Sequence, residues 1–231
     1  MLMKWLVDFL FRSSIGRKVV MSLSGLFLIA FLVVHLLGNL QLLAYDGGRQ
    51  FKIYAYFMTH NHLIKTTSYL LYLTILLHAI QGISLAWANR KAKGRTYAVS
   101  SNAPISSFSK YMIHFGMIIF IFLGLHMYQF WLQMKMGNAP VLSYPGTDHP
   151  VQDLNALVVE AFANPYYVGI YVVSMFALGL HLWHGFQSAF QTLGLNHPKY
   201  NGLIRMVGKM YAVAVAVGFA VIPVILFFRQ V

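Results

Sequence analysis

Five long runs of apolar residues dominate this sequence and limit what it can fold into. Each run is long enough to cross the hydrocarbon core of a bilayer, about 30 Å thick, as a helix. Their approximate boundaries are residues 19–44, 66–88, 111–134, 165–190 and 207–228. The sequence therefore predicts an all-α fold, an integral membrane bundle of five transmembrane helices, in which residues 1–231 form a single membrane domain.

The distribution of charge agrees with a multi-pass membrane protein and indicates its orientation. Only 10% of the residues are charged, whereas soluble domains carry about a quarter. If the N-terminus is inside, the cytoplasmic side receives 12 of the 17 basic residues: Lys4, Arg12, Arg17, Lys18, Arg90, Lys91, Lys93, Arg95, Lys110, Lys199, Arg205 and Lys209. Because basic residues concentrate in cytoplasmic loops, we predict an inner (cytoplasmic) membrane location, with the N-terminus in the cytoplasm and the C-terminus outside. The net charge of +12 is thus a topology signal, and no nucleic-acid partner is predicted.

The segments outside the five spans are predicted to be short. Residues 2–12 mix aromatic and charged side chains, which is typical of a short helix lying in the membrane interface. Residues 89–109 and 137–164 are predicted to be polar loops. The chain has no cysteine, which excludes disulfides, thiolate metal sites and iron–sulfur clusters within it.

Four of the ten histidines lie in the middle of four different spans: His35, His78, His126 and His181. A charged side chain in the hydrocarbon costs about 3 kcal/mol, so an ionisable residue there indicates a function or a polar contact. His35 and His126 lie about four turns into spans that run outward. His78 and His181 lie about three turns before the ends of spans that run inward. The histidines therefore form two pairs, each at one depth and on helices of the same direction.

Two histidine pairs at two depths are the arrangement that two stacked haem groups need. Imidazole is a common axial ligand of haem iron, and two imidazoles leave no open position for oxygen chemistry. We therefore predict two haem b groups that carry electrons, with His78 and His181 as ligands of the inner iron and His35 and His126 as ligands of the outer one. The alternative is that each histidine only forms a hydrogen bond between helices, which does not explain why the four pair by depth.

A glycine lies within about one helical turn of each of these histidines: Gly38, Gly82, Gly124 and Gly185. The His-x-x-x-Gly spacing is the same at His78 and His181. The glycines are predicted to let a flat macrocycle approach the helix backbone, although ordinary helix packing also favours small residues at such positions.

Five segments of the chain carry a resemblance to a known family. They are SSIGRKVVMSLSGLFL at 13–28, VVHLLGNLQ at 33–41, LLHAIQG at 76–82, GLHMYQFW at 124–131 and LHLWHGFQSAFQTLG at 180–194. In their order and spacing they resemble the five-helix, dihaem cytochrome b subunit of succinate dehydrogenases and fumarate reductases, the b558 type. The resemblance spans nearly the whole chain.

The resemblance implies the same pairing of the histidines and a place in electron transport and the tricarboxylic acid cycle. It also implies a flavoprotein subunit with covalent FAD and an iron–sulfur subunit, both on the cytoplasmic face. The chain would anchor them in the lipid and pass electrons between the iron–sulfur subunit and a membrane quinone, either menaquinone or ubiquinone. It is not predicted to act on succinate itself, because it has no dinucleotide fingerprint and no cluster ligands.

Three other residues are candidates for cofactor contacts. His184 is either a contact of a haem propionate or an alternative ligand to His181, and the family resemblance favours His181. His114 is either a partner of a propionate or quinone oxygen, or an interfacial residue with no special role. Arg17 is a candidate partner for a propionate, although basic residues are expected at the ends of spans.

Two other functions are consistent with parts of the sequence. One is the dihaem cytochrome b subunit of another quinone-linked complex, a hydrogenase or a formate dehydrogenase, which would differ in its partner subunits. The other is a transporter that uses the histidines as a proton relay, which would be colourless. The lack of interrupted helices and of carboxylates within the spans argues against the transporter.

Overall fold

The computed structural model describes residues 2–92, 107–143 and 150–230. In chain order, the helices in this part of the chain are α1 (Leu2–Arg12), α2 (Ser14–Leu40), α3 (Arg49–His60), α4 (His62–Ala92), α5 (Ser107–His126), α6 (Gln133–Lys135), α7 (Leu154–Phe162), α8 (Pro165–Thr192) and α9 (Pro198–Phe228). A 3₁₀ turn at Gln41–Leu43 extends α2, and a π-helical turn at Met127–Leu132 joins α5 to α6. Two short strands, β1 (Val141–Leu142) and β2 (Val151–Gln152), pair antiparallel.

The predicted all-α fold with five membrane-spanning helices is confirmed. By length and composition, the five helical stretches that could cross a membrane are Ser14–Leu43, His62–Lys91, Lys110–Lys135, Pro165–Thr192 and Pro198–Phe228. Each predicted span coincides with one of them, but several helices extend further at their polar ends. Helix α2 begins early because the Ser13 hydroxyl accepts a hydrogen bond from the Gly16 amide at 2.9 Å and so caps the helix.

Four of the long helices form a bundle in which α2 and α5 occupy opposite corners. Helix α2 packs against α4 and α8, and α5 packs against α8 and α4. The other diagonal therefore joins α4 and α8. Helix α9 lies outside this square and packs against α8 and α2. We call the end of the bundle where α2 begins the N-terminal end and the opposite end the C-terminal end.

The long helices keep most of their apolar surface on the outside of the bundle. At most 33% of the most apolar 18-residue window of any span is buried within the chain, and for Lys110–Lys135 the share is 0%. Contact between helices is made by small residues, as at Gly179 of α8, where a Cβ would lie 2.9 Å from the Cβ of Ala216. Close packing of small residues is the usual mode of association between helices in lipid, where an apolar surface gains nothing by leaving the solvent.

Helix α1 covers Leu2–Arg12, the range in which the sequence predicts a short helix. The rings of Trp5 and Phe9 stack at 5.7 Å, and the Arg12 guanidinium pairs with Asp8 at 3.1 Å. The α1 backbone at Phe9 lies directly on Gly16, where a Cβ would collide with the Phe9 carbonyl. Helix α1 is thus fixed against the first turn of α2, and its place in the membrane interface stays a prediction.

The prediction that residues 137–164 form a loop is wrong. This segment contains β1, β2 and α7, and a further unpredicted helix, α3, lies between the first two spans. We call α3, β1, β2 and α7 together the cap. It covers the C-terminal end of the bundle, where Phe51, Val158 and Phe162 share an apolar cluster with Tyr171 of α8 and Ile222 of α9. In the other predicted loop, α4 continues to Ala92 and α5 begins at Ser107, and residues 93–106 lie outside the described residues.

A buried ion pair fastens the cap. The Lys52 ammonium on α3 lies 2.9 Å from a carboxylate oxygen of Asp153, and the two side chains are only 8% and 10% exposed. The other Asp153 oxygen accepts a hydrogen bond from the Ala156 amide at 3.0 Å and caps α7. The nine residues of α7 are too few to span a membrane, so a search for long apolar runs misses this helix; its start is a local cap, and the contact of Asp153 with Lys52 fastens it to α3.

Candidate functional site

The four mid-span histidines meet in two pairs inside the bundle. The ring centres of His35 and His126 are 5.8 Å apart, and those of His78 and His181 are 6.2 Å apart. These are the same pairs that the depth comparison predicts. We call His78 and His181 the N-end pair and His35 and His126 the C-end pair.

Each pair bridges one diagonal of the bundle. The C-end pair joins α2 to α5, and the N-end pair joins α4 to α8. Helices at opposite corners are the ones separated by the bundle axis, so a group held between paired imidazoles would lie along that axis. The bundle is held together by contacts between adjacent helices. Packing of the helices therefore does not require polar rings on the bundle axis.

The spacing within each pair suits two ligands on opposite sides of one metal ion. A metal bonds an imidazole nitrogen at about 2 Å, so two opposed imidazoles place their ring centres about 6 Å apart. The observed values of 5.8 and 6.2 Å agree with this. In the described part of the chain no group of three or more His, Asp or Glu side chains could hold a metal ion. Such pairs fit a metal whose other ligands come from a macrocycle.

In the N-end pair, Ser24 determines which nitrogen of His78 carries the proton. The Ser24 hydroxyl donates to the Met21 carbonyl at 3.0 Å, so its oxygen is left to accept from His78 Nδ1, also at 3.0 Å. A histidine protonated at Nδ1 has its lone pair on Nε2. With this arrangement of protons, His78 Nε2 would be free to bind a metal, and Nδ1 would make the second hydrogen bond that metal-binding histidines usually have.

Tyr171 has the same role toward His126 in the C-end pair. The Tyr171 hydroxyl donates to Gln129 Oε1 at 2.7 Å, and its oxygen faces His126 Nδ1 at 3.4 Å. His126 is therefore also favoured in the tautomer with Nε2 free. Gln129 lies in the π-helical turn that begins directly after His126, and such turns are common at functional sites.

The other member of each pair has a different neighbour. The amide nitrogen of Asn39 donates to the His35 carbonyl at 2.7 Å and lies 3.4 Å from His35 Nδ1, so it does not select the tautomer with Nε2 free. The His181 ring is buried beside the Met112 backbone, and its Nδ1 atom makes no hydrogen bond of good geometry with the described residues. Each pair therefore contains one histidine whose tautomer a neighbouring hydroxyl selects.

The surroundings of the two pairs differ in polarity. Aromatic rings lie against the C-end pair: Phe31 stacks on His35 at 5.1 Å, and Phe130 meets His126 edge-on at 5.3 Å. The N-terminal half of the bundle carries Gln81, 6% exposed, and Arg17, whose Nη1 donates to Ser84 at 3.3 Å. Gln81 Oε1 and Arg17 Nε are also buried without partners among the residues described.

Unpartnered buried polar atoms are costly, so their position is informative. Within the described ranges, the three such side-chain atoms belong to Arg17, Gln81 and His181, and all lie in the N-terminal half of the bundle. A buried polar group left without a hydrogen bond costs about 1–3 kcal/mol. The N-end pair thus lies where the chain can accept a ligand that has polar and anionic groups of its own.

A repeated motif around the pairs was missed at the sequence level. Met21, Gly25 and His35 on α2 have the same spacing as Met112, Gly116 and His126 on α5. A Cβ on Gly25 would lie 3.3 Å from the His78 ring, and one on Gly116 would lie 3.6 Å from the His181 ring. Each histidine of the N-end pair therefore lies beside a glycine of the neighbouring helix: His78 of α4 beside Gly25 of α2, and His181 of α8 beside Gly116 of α5. Comparing the spans with one another would have revealed this signal.

The four glycines predicted to face a macrocycle differ in what lies beside them. A Cβ on Gly82 would lie 3.4 Å from the Met21 methyl, and one on Gly185 would lie 3.3 Å from the Met112 methyl. Both neighbours are flexible methionine ends that can move. The space beside Gly38 is filled by the Tyr54 ring, and Gly124 is exposed with no heavy atom within 4 Å of its Cβ position. The space beside Gly38 is thus taken by a side chain, whereas the space beside Gly124 is open among the described residues.

The three secondary candidates, His184, His114 and Arg17, do not take part in the ring contacts of the two histidine pairs. His184 is partly buried on α8, about one turn beyond His181 toward the N-terminal end. His114 is exposed, with its ring 5.8 Å from that of Tyr111, so it faces away from both pairs. Of the three secondary candidates, only Arg17 has a buried, unpartnered polar atom.

Comparison of the chain with protein-family models, with curated proteins and with solved structures found no match.

Proposed function

We propose that this chain is the haem-bearing membrane anchor of a succinate:quinone oxidoreductase. It would pass electrons between an iron–sulfur subunit and a membrane quinone, menaquinone or ubiquinone. The observation that carries the proposal is the placement of two histidine pairs on the two diagonals of one bundle, at spacings of 5.8 and 6.2 Å. The motif resemblance along the chain supports the choice of enzyme complex.

The residues present fit two haem b groups. His78 and His181 would ligate one through their imidazoles, and His35 and His126 the other. Ser24 and Tyr171 hold the proton of one histidine in each pair on Nδ1. When bound, an iron with two imidazole ligands supplies one-electron transfer and has no open position for a substrate.

The polar side chains at the N-end pair would receive the acidic side chains of the macrocycle. Arg17 is positively charged, and its Nε is unpartnered among the described residues. A guanidinium can bind a carboxylate through two nitrogens at once. The unpartnered Gln81 Oε1 is an acceptor and would take a hydrogen bond from a water molecule. The C-end pair, enclosed by rings such as Phe31 and Phe130, offers an apolar surface to the flat face of a macrocycle.

The distribution of charge supports an orientation with the N-terminal end in the cytoplasm. The described residues at this end include Arg17, Lys18, Arg90, Lys91, Lys110, Lys199, Arg205 and Lys209. A basic cytoplasmic surface of this kind also suits docking of a flavoprotein and an iron–sulfur subunit. Electrons would then enter near the N-end pair and leave near the C-end pair, or flow in the opposite direction in fumarate reduction.

Isolation of the intact complex tests the proposal. The full chain, tagged at its C-terminus and extracted in a mild detergent, is expected to bring with it a subunit with covalent FAD and a subunit with iron–sulfur clusters. The preparation should oxidise succinate with a quinone analogue as acceptor. Copurification of nickel or molybdopterin would contradict the assignment and favour a hydrogenase or formate dehydrogenase. A colourless preparation would also contradict the assignment of the chain as a cytochrome.

A further inference from the structure

An open cleft of about 300 Å³ lies at the N-terminal end of the bundle. It is formed by the first turns of α2 and the last turns of α8, and its lining residues are Ile15, Lys18, Ser188, Gln191 and Thr192. Four of these five side chains can donate a hydrogen bond and one is cationic, whereas none is acidic. The chemistry of the cleft therefore favours an anion with several acceptor oxygens.

The cleft is separate from the histidine pairs. Lys18 and Arg17 are adjacent on α2, and adjacent residues of a helix point about 100° apart. Arg17 is directed to Ser84 of α4, while Lys18 faces α8 across the cleft. The group that occupies the cleft is thus not the one that would meet Arg17.

The position of the cleft indicates a lipid. It lies at the ends of two membrane-spanning helices, where the headgroups of a bilayer begin, and Ile15 beside it is 67% exposed. In the α1 segment the nearest acid in sequence, Asp8, is already paired with Arg12 at 3.1 Å. No lining side chain therefore repels a phosphate, and the apolar side chain offers contact to an acyl chain. Basic pockets between transmembrane helices are known binding sites for anionic lipid headgroups.

We propose that the cleft between α2 and α8 binds the phosphate headgroup of an anionic phospholipid. The Lys18 ammonium pairs with the phosphate, and the hydroxyls of Ser188 and Thr192 and the amide of Gln191 donate to its oxygens. The bound lipid joins the first turn of α2 to the last turn of α8. This site requires neither haem nor electron transfer, so its failure would leave the proposed function untouched.

Native mass spectrometry of the purified chain with added phosphatidylglycerol tests the site. We expect the wild-type chain to retain one phosphatidylglycerol in preference to phosphatidylcholine. The Lys18→Gln variant should bind it about tenfold more weakly, the typical effect of losing one charged hydrogen bond. Ser188→Ala combined with Thr192→Val should weaken binding to a smaller extent.

Lys199→Gln is the matched control. Lys199 carries the same charge at the same end of the bundle, but its ammonium lies over the Tyr200 ring at 5.4 Å and does not line the cleft. This variant should bind the lipid as the wild type does. Equal loss in both lysine variants, or equal retention of phosphatidylcholine, would overturn the proposal. So would displacement of the lipid by inorganic phosphate at a similar concentration, because the site would then recognise the free ion.

Discussion

Replacement of His78 or His181 by alanine is expected to abolish one of two haem signals and to leave the other. Replacement of His35 or His126 should abolish the second signal instead. In the proposed cytochrome each pair would supply both protein ligands to one iron, so loss of either imidazole would leave that iron with a single ligand. The two variants of one pair should give the same spectrum. Reduced-minus-oxidised spectra of the purified variants, with haem quantified per chain, measure this.

Two further variants and a chemical rescue make this prediction specific. His114→Ala removes an exposed histidine from the same bundle, and should retain both signals. His184→Ala should also retain both, because the ring that faces His78 is that of His181. Added imidazole should restore the signal lost in His126→Ala, which separates loss of a ligand from loss of the fold. Loss of the same signal in His35→Ala and His78→Ala would contradict the pairing.

Asp153→Asn is expected to loosen the cap by about 2 kcal/mol, the usual cost of losing a buried hydrogen bond to a charged group. The substitution keeps a side-chain oxygen that can accept from the Ala156 amide, so the start of α7 is preserved. It removes the charge that faces Lys52, whose side chain is 8% exposed. Hydrogen exchange of the amides in α3 and α7 measures the free energy of opening of the cap.

Glu160→Gln is the control for this prediction. Glu160 lies on the same helix α7 and is exposed, so loss of its charge should change the opening free energy by less than about 0.5 kcal/mol. Exchange in the bundle helix α8 should be unaffected in both variants. If Asp153→Asn and Glu160→Gln have equal effects, the ion pair does not fasten the cap.

The number and direction of the long helices could be predicted because each depends on a local property of the sequence. An apolar run that is long enough to cross a bilayer has no other way to satisfy its backbone. Hydropathy gives no signal for the ends of a helix that extend beyond the apolar run into the polar interface. Helix α9 begins at Pro198 and not near Val207, because Pro198 at the first helical position and the His197 side chain, which accepts from the Lys199 amide at 3.2 Å, start it earlier.

The cap could not be predicted, because distant contacts hold it together. Helix α3 has no long apolar face, and beside Phe51 and Ala55 it buries a lysine, Lys52, that pairs with Asp153. Strand β1 is only two residues long and pairs Val141 with Gln152. Neither pattern stands out from a polar loop in the sequence alone.

The candidate site was partly accessible from the sequence. The predicted depths in the membrane indicated the pairs His35 with His126 and His78 with His181. This was possible because the number of residues from the end of a span gives the distance along the helix axis. The neighbours of the histidine rings were not accessible: nothing in the sequence distinguishes Ser24 or Tyr171, which only the packing of a neighbouring helix brings to a ring nitrogen. The contact at Gly38 was not accessible for a related reason, because the Tyr54 ring that fills the space beside it comes from the unpredicted helix α3.

The most direct test of the two-haem account is a pyridine haemochrome assay on the purified wild-type chain, combined with its dithionite-minus-oxidised spectrum. The account predicts about two b-type haem groups per chain, with both irons in the low-spin state that two imidazole ligands impose. Absence of haem from a folded chain would contradict the account and leave the histidine pairs as contacts between helices.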